Sequence, residues 1–230
     1  FQLFDPDLPF KHQLFLKITS SIPLPNEWYL NGSYSINISN NFDTIRGPNS
    51  SLPNVRTDIN KYLTEGETGI TSLYFEKYGM INNLIYYRSY FGFLEQMYAG
   101  LGSELLYVPF KSRLSFGLTI NALKKREYNG RLGFLDYKTM TSFLSFYYAS
   151  DFNNFDIALH FGRYLAKDEG ITIDLRRSFD NGSTVGAFAT FTNVSADEFG
   201  EGSFDKGLYI KIPFNSIFKQ NVKTSVATMI

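Results

Sequence analysis

The chain has no cysteine in its 230 residues. That excludes a disulfide framework and a thiolate metal site. Histidine occurs only at His12 and His160, each inside a strand-like segment, and two such residues without cysteine make no persuasive zinc site. Charge of either sign is not in excess: 22 Lys and Arg balance 22 Asp and Glu, for a formal net charge of zero. Nothing in that balance drives an electrostatic search for nucleic acid or an acidic surface. No apolar run approaches the roughly 18 residues of a membrane helix. GxSxG, P-loop and HExxH strings are missing as well. The glycines of LEQMYAGLGSE (94–104) lack the following helix that a phosphate cradle needs. No cofactor and no metal are expected.

What is abundant is alternation. In NEWYLNGSYSINI (26–38), Trp28, Leu30, Tyr34, Ile36 and Ile38 share one parity, and Tyr29, Asn31, Ser33, Ser35 and Asn37 the other. In RLSFGLTINA (113–122), Leu114, Phe116, Leu118, Ile120 and Ala122 alternate with Ser115, Gly117, Thr119 and Asn121. A period of two is a β-strand, because successive side chains point to opposite sides of a pleated ribbon. The polar parity carries hydroxyl, amide and glycine residues rather than Lys and Glu. That suits the wet interior of a membrane barrel whose outside meets lipid.

About eleven strand-like segments are found, near 11–22, 26–38, 69–78, 84–94, 100–109, 113–125, 138–150, 155–165, 170–179, 183–193 and 206–214. Many run to 10–13 residues. Soluble strands average about 5–6, whereas tilted membrane strands need about 9–11. Short links (23–26, 79–83, 110–112, 151–154, 180–183) alternate with a second set that includes the long stretches 40–68, 125–137 and 195–205. Short turns on one side and longer loops on the other match periplasmic turns and extracellular loops.

Phe and Tyr number 23 and 16 against one Trp. Trp28, Tyr29, Tyr78, Tyr107, Phe110, Tyr148, Phe152, Phe155, Phe179 and Phe214 gather near the short turns, and Phe91, Phe93, Tyr98, Tyr128, Tyr137, Tyr164 and Phe191 near the opposite ends. Two such girdles suit the two membrane–water interfaces. The expected fold class is thus all-β, an antiparallel up-and-down transmembrane β-barrel of about 11–12 strands forming one domain over 1–230. A soluble sandwich with an aromatic-rich core is the competing architecture. Bacterial barrels have even strand numbers. A twelfth strand is therefore expected either upstream of Phe1 or within 216–230, a tail without a clear assignment. A chain that opens at Phe1 reads as a mature fragment or an excised part of a longer barrel protein.

Four strings go beyond generic barrel signals: SSLPNVRTDINKYLTEGET (50–68), LEQMYAGLGSELLYVPF (94–110), FGRYLAKDEGITIDLRRSFDNGSTVGAFAT (161–190) and DEFGEGSFDKGLYIKIPF (197–214). Together they resemble the YjbH family of outer-membrane proteins. The resemblance runs from about Phe4 to Phe214 and is strongest in FGEGSFDKG and EQMYAGLGSELLY. It implies a Gram-negative outer-membrane barrel that assists exopolysaccharide or capsule secretion, with lipid, polysaccharide and export proteins of the same operon as partners. It implies a C-terminal portion of a longer protein and carries over no catalytic residue.

The residues themselves supply the candidates. Glu95, Glu104, Arg163, Asp174 and Arg176 lie in or beside strands. A charge facing lipid near mid-membrane costs about 2–4 kcal/mol for Arg or Lys, so these side chains are expected to point inward or sit at rims. Inside, they either pair and stiffen the barrel or hydrogen-bond a glycan whose CH faces stack on aromatic rings. In the loop 40–68, Arg56 and Asp58 are expected to pair with interior charges if the loop plugs the barrel, and 59–63 has the makings of one helical turn. The acidic loop DEFGEGSFD (197–205) offers Glu198, Glu201 and Asp205. A calcium loop and a glycosidase carboxyl pair compete there with a solvated loop, and the spacing fits no EF-hand. The expected role is non-catalytic, as an anchor or as a glycan passage or docking surface. The alternatives are a diffusion porin, or a membrane-embedded glycan-modifying enzyme.

Overall fold

A computed structural model describes residues 2–3, 9–42, 55–195, 205–213 and 225–229. The alternating segments become long antiparallel strands. After a small ribbon of β1 (Gln2–Leu3) and β2 (Phe10–Lys11) come β3 (Gln13–Leu24), β4 (Trp28–Asn40), β5 (Gly69–Asn82), β6 (Ile85–Phe93) and β7 (Tyr98–Tyr107). They are followed by β8 (Leu114–Arg126), β9 (Phe134–Ala149), β10 (Phe155–Arg163), β11 (Glu169–Ser178), β12 (Thr184–Thr192), β13 (Asp205–Pro213) and β14 (Ser225–Met229). The α-helix α1 (Ile59–Thr64) covers the stretch with the expected helical turn.

From β3 to β14, twelve strands form one sheet in which each is hydrogen-bonded to its neighbour in the chain. The twelfth strand lies in the tail, where β14 pairs with β13. Among the described residues, no ladder joins β3 to β14. The connections keep their two-sided character. Asn153 and Asn154 turn the β9–β10 hairpin with φ of 49° and 55°, a conformation asparagine tolerates better than other side chains. Three links are tighter than expected, because β5 runs on to Asn82, β7 begins at Tyr98 and β9 begins at Phe134.

The two faces of the sheet are inverted relative to a soluble protein. On β4, Ser33 and Ser35 are buried at 8% and 7% exposure, while Ile38 is 62% exposed. On β9, Thr139, Thr141 and Ser145 are buried, while Met140 and Leu144 are exposed. Cross-strand pairs keep the phase, with Leu118 opposite Leu144 and Asn121 opposite Thr141. The polar face is therefore the sheltered one. Among the described residues, no aromatic-rich sandwich core forms. Among the described residues, the buried apolar cluster is Tyr62, Met97 and Tyr98, with Leu123, Tyr128, Tyr137 and Leu165 against it.

That cluster corrects one of the two expected girdles. At the short turns, Tyr107, Phe110, Tyr148, Phe152 and Phe179 are exposed, and at the loop end so are Phe91 and Phe191, whereas Tyr78, in register with Arg88 of the polar face, stacks on Tyr29. Tyr98, Tyr128 and Tyr137 instead pack around Tyr62, and Tyr164 hydrogen-bonds Thr172 on the polar face. A girdle residue and an inward residue at the same strand end differ only in phase, and irregular connections obscure that phase.

Candidate functional site

Three groups of side chains occupy the polar face, and the first seats residues 55–66 against the sheet. Lys125 continues the inward parity of Asn121 and Leu123 on β8, and its ammonium donates to both carboxylate oxygens of Asp58 at 2.7 and 2.6 Å. Both side chains are 4% exposed. The Tyr128 hydroxyl also donates to Asp58, at 3.0 Å. Burial above all, with the hydrogen bond to Asp58 and its charge, pushes that phenol up to about 12. Tyr62 on α1 is fully buried and donates to the Arg126 carbonyl at 2.5 Å. Its phenol is pushed well up by burial and, less strongly, by Asp58 nearby.

Arg126 holds the surrounding loops. Its guanidinium donates to the carbonyls of Glu95 at 2.7 Å, Ile70 at 2.9 Å and Arg131 at 3.0 Å and lies 4.8 Å from the centre of the Phe93 ring. Tyr98 donates to Val55 O at 2.9 Å, Gln96 donates to Tyr62 O at 3.1 Å, and Arg56 is ion-paired with Glu95 at 2.8 Å. The buried Asp58–Lys125 pair dominates this seat. Removing one partner of such a pair costs about 3–5 kcal/mol, because the other charge is left without compensation. The exposed Arg56–Glu95 pair contributes far less.

The second group is a ladder across the middle of the sheet. Asn31 donates to Glu76 at 2.6 Å. Arg88 bridges Glu76 at 2.9 Å and Glu104 at 3.5 Å. The Tyr90 hydroxyl lies 2.6 Å from Asn121 Oδ1 and 3.1 Å from Glu104, and Asn121 donates to Thr141 at 3.1 Å. Six strands from β4 to β9 are stitched through side chains as well as backbone. Tyr90 reaches across only because residue 102 is glycine: a Cβ there would sit 2.5 Å from the ring.

The third group lines a cavity of about 420 Å³ toward the short-turn end, with Arg113, Tyr147, Asp156, His160, Asp174, Arg176 and Tyr209 around it. Arg176 is ion-paired with Asp156 at 2.9 Å. Tyr209 donates to Asp174 at 3.0 Å, crossing β12 above Gly186, where a Cβ would meet its ring at 2.1 Å. His160 Nδ1 lies 2.8 Å from Ser145 Oγ. Among the described residues, no carboxylate hydrogen-bonds the other ring nitrogen, so the third group that orients a nucleophile's base is not supplied. The cavity offers paired charges, hydroxyls and tyrosine faces, the groups that contact a polyhydroxylated ligand.

Comparison with known proteins identifies the chain's relatives. A family model named YjbH, described as "Exopolysaccharide biosynthesis protein YbjH", matches residues 1–230. The chain belongs to the YjbH family. It is 34% identical over 218 residues to the "Uncharacterized lipoprotein YjbH" of Escherichia coli (strain K12). The alignment covers 91% of this chain and 31% of that relative, so the chain spans under a third of its length. No solved structure matches.

Within this YjbH family chain, the sequence candidates fall into separate places. Asp58, Arg56 and Glu95 meet at the loop-end seat. Glu104 sits in the central ladder. Asp174 and Arg176 line the cavity. Asp205 opens β13 opposite Thr190, exposed at the loop end. Glu198 and Glu201 lie outside the described residues. Arg163 does not join the interior set. It stands opposite Ser142, two residues beyond Phe161 on the apolar face, and so occupies the rim of that face.

Sequence reasoning passed over Tyr62, Glu76, Arg88, Lys125, Arg126, Asp156 and Tyr209. Glu76, Arg88 and Lys125 were legible, since each is out of phase with the apolar residues of its strand. Arg126 was not, because an irregularity between Lys124 and Arg126 breaks the period.

Proposed function

We propose that this chain is the membrane-spanning part of an outer-membrane protein that assists exopolysaccharide secretion without catalysing a reaction. One observation carries this: in a run of twelve consecutive antiparallel strands, Ser33 and Ser35 of β4 and Thr139, Thr141 and Ser145 of β9 are buried, while leucine, isoleucine and phenylalanine side chains from β3 to β13 are exposed. In water that arrangement leaves a large apolar surface without a partner. In a bilayer it is the low-energy one, provided the sheet closes so that no edge meets lipid. Closure of β3 on β14 gives twelve strands, an even number as in bacterial barrels, with the polar ladder inside.

Residues 55–66 then act as a plug at the loop end, held by Asp58, Tyr62 and their partners. The cavity around Asp156, Asp174, Arg176 and Tyr209 faces the short-turn end and offers the glycan a polar, tyrosine-flanked docking surface. The family's description as an exopolysaccharide biosynthesis protein supports the polysaccharide. The lipoprotein name of the Escherichia coli relative fits a membrane location.

The test is bilayer conductance of the chain refolded in detergent, with and without residues 44–66. Heat-modifiable gel mobility first establishes that the barrel is folded. Steady conductance only after the deletion is the expected result for a plugged passage. Silence in both forms leaves a filled barrel acting as an anchor. Failure of the chain to fold in detergent, or a soluble monomer without it, refutes the membrane reading.

A further inference from the structure

The apolar face is interrupted at its loop end by four basic side chains. Lys124 and Lys138 stand directly opposite each other on β8 and β9. Arg163 on β10 and Lys167 from the following turn line the same recess, about 510 Å³, together with Ala122 and Met140. Like charges directly opposite each other on a sheet are destabilising. Asp136, Asp168 and Glu169 are the nearby carboxylates, Glu169 in register with Arg163 and Asp168 next to Lys167 in the turn, close to Tyr137 as Arg163 is. Among the described residues, neither they nor any other carboxylate forms an ion pair with the four cations.

The cations are held rather than loose. Lys124 lies 4.9 Å from the Phe134 ring centre and Lys167 lies 5.5 Å from that of Tyr137. Arg163 Nε is buried without a hydrogen-bond partner. A guanidinium with an unsatisfied N–H beside two uncompensated ammonium groups is a site for an oxyanion that takes several charge-assisted hydrogen bonds at once. Immediately toward the middle of the strands, the same face turns apolar through Met140 and Leu144, which are 57% and 47% exposed. An anion bound here therefore continues into something apolar.

We propose that this recess binds the phosphate of a phosphorylated, acylated glycolipid in the leaflet on the long-loop side, its chains lying along Met140 and Leu144. The inference rests on the membrane reading above. It gives the Lys124–Lys138 juxtaposition a reason: the phosphate neutralises a repulsion that the protein alone leaves standing.

The experiment measures thermal unfolding of the detergent-refolded chain with lipid A, with dephosphorylated lipid A and with inorganic phosphate alone. The expected result is a rise in Tm of several degrees with lipid A and none with the other two. In Lys124→Gln/Lys138→Gln, lipid A affinity falls at least tenfold while Tm in lipid-free detergent rises slightly. Lys124→Arg/Lys138→Arg, which keeps the charges, retains binding and controls for misfolding. Equal stabilisation by dephosphorylated lipid, or unchanged binding in the Gln variant, overturns the proposal. So does saturation by inorganic phosphate alone, which would mark a free-anion site. Quenching of Trp28 by brominated phospholipid reports the membrane reading separately. Quenching without phosphate-dependent binding sinks this proposal only; no quenching sinks both.

Discussion

Neutralising Asp58 isolates the energetics of the seat. Asp58→Asn leaves the shape nearly unchanged but removes the charge that two oxygens present to Lys125 at 2.7 and 2.6 Å, in a place where both side chains are 4% exposed. The stranded ammonium costs about 3–5 kcal/mol, which shifts the seated-to-released ratio of residues 55–66 by two to nearly four powers of ten. Tyr62, Tyr98 and Gln96 still hold the segment, so the sheet stays folded and the loss is local. Hydrogen exchange of the amides of α1, read by mass spectrometry in detergent, accelerates by that factor, while exchange in β9 does not change. The charge-swapped pair Asp58→Lys/Lys125→Asp recovers a large part of the protection. Wild-type exchange in Asp58→Asn refutes the argument that this ion pair holds the segment down.

Further outcomes follow from other contacts. Gly186→Ala places a methyl group where the Tyr209 ring lies, so the bond to Asp174 breaks and thermal stability in detergent falls by about 1–3 kcal/mol. Tyr128 keeps its proton longer in the folded chain than its ordinary value of 10 allows. Its contribution is complete below about 10 and is lost as pH rises through about 12, so alkaline difference absorbance shows a late-titrating phenol that Tyr128→Phe abolishes. Arg88→Met leaves Glu76 and Glu104 facing each other without their shared cation, and the midpoint of thermal unfolding in detergent falls. Trp28, the single tryptophan, packs edge-on to Phe91 on the apolar face, and brominated phospholipid quenches it while aqueous iodide does so weakly.

Most of the sheet was legible in the sequence because period two leaves little room for another reading. The segment read as 113–125 became Leu114–Arg126, and that read as 170–179 became Glu169–Ser178. The helical turn in INKYL was visible as well. The strand ends were less so, because turn chemistry rather than alternation decides where pairing stops. Phe134, for instance, belongs to β9 by pairing with Arg126 across an irregular step. Of the polar face, phase marks Glu104, Asp174 and Arg176, and Arg88 by the same test, but not which of them pair. Tyr209 reaches Asp174 across a whole strand, a relation that alternation within single strands does not encode. Arg163 takes the second of the two places expected for a strand charge, a rim: its phase with Phe161 sets it on the apolar face, at the strand end.

The seat has a consequence for the order of assembly. Among the described residues, every strand ladder joins neighbours in the chain, so hairpins can form one after another as the chain is laid down, with any pairing of β3 and β14 left to the end. The inner segment breaks that locality. Asp58 must wait for Lys125, 67 residues downstream, and Tyr62 for Arg126, 64 residues downstream. Residues 55–66 are therefore made well before the surface they rest on, and β8 must be in place before they can settle. On the membrane reading proposed above, a factor that guides the chain into the bilayer meets a half-built sheet whose residues 55–66 have not yet found their seat.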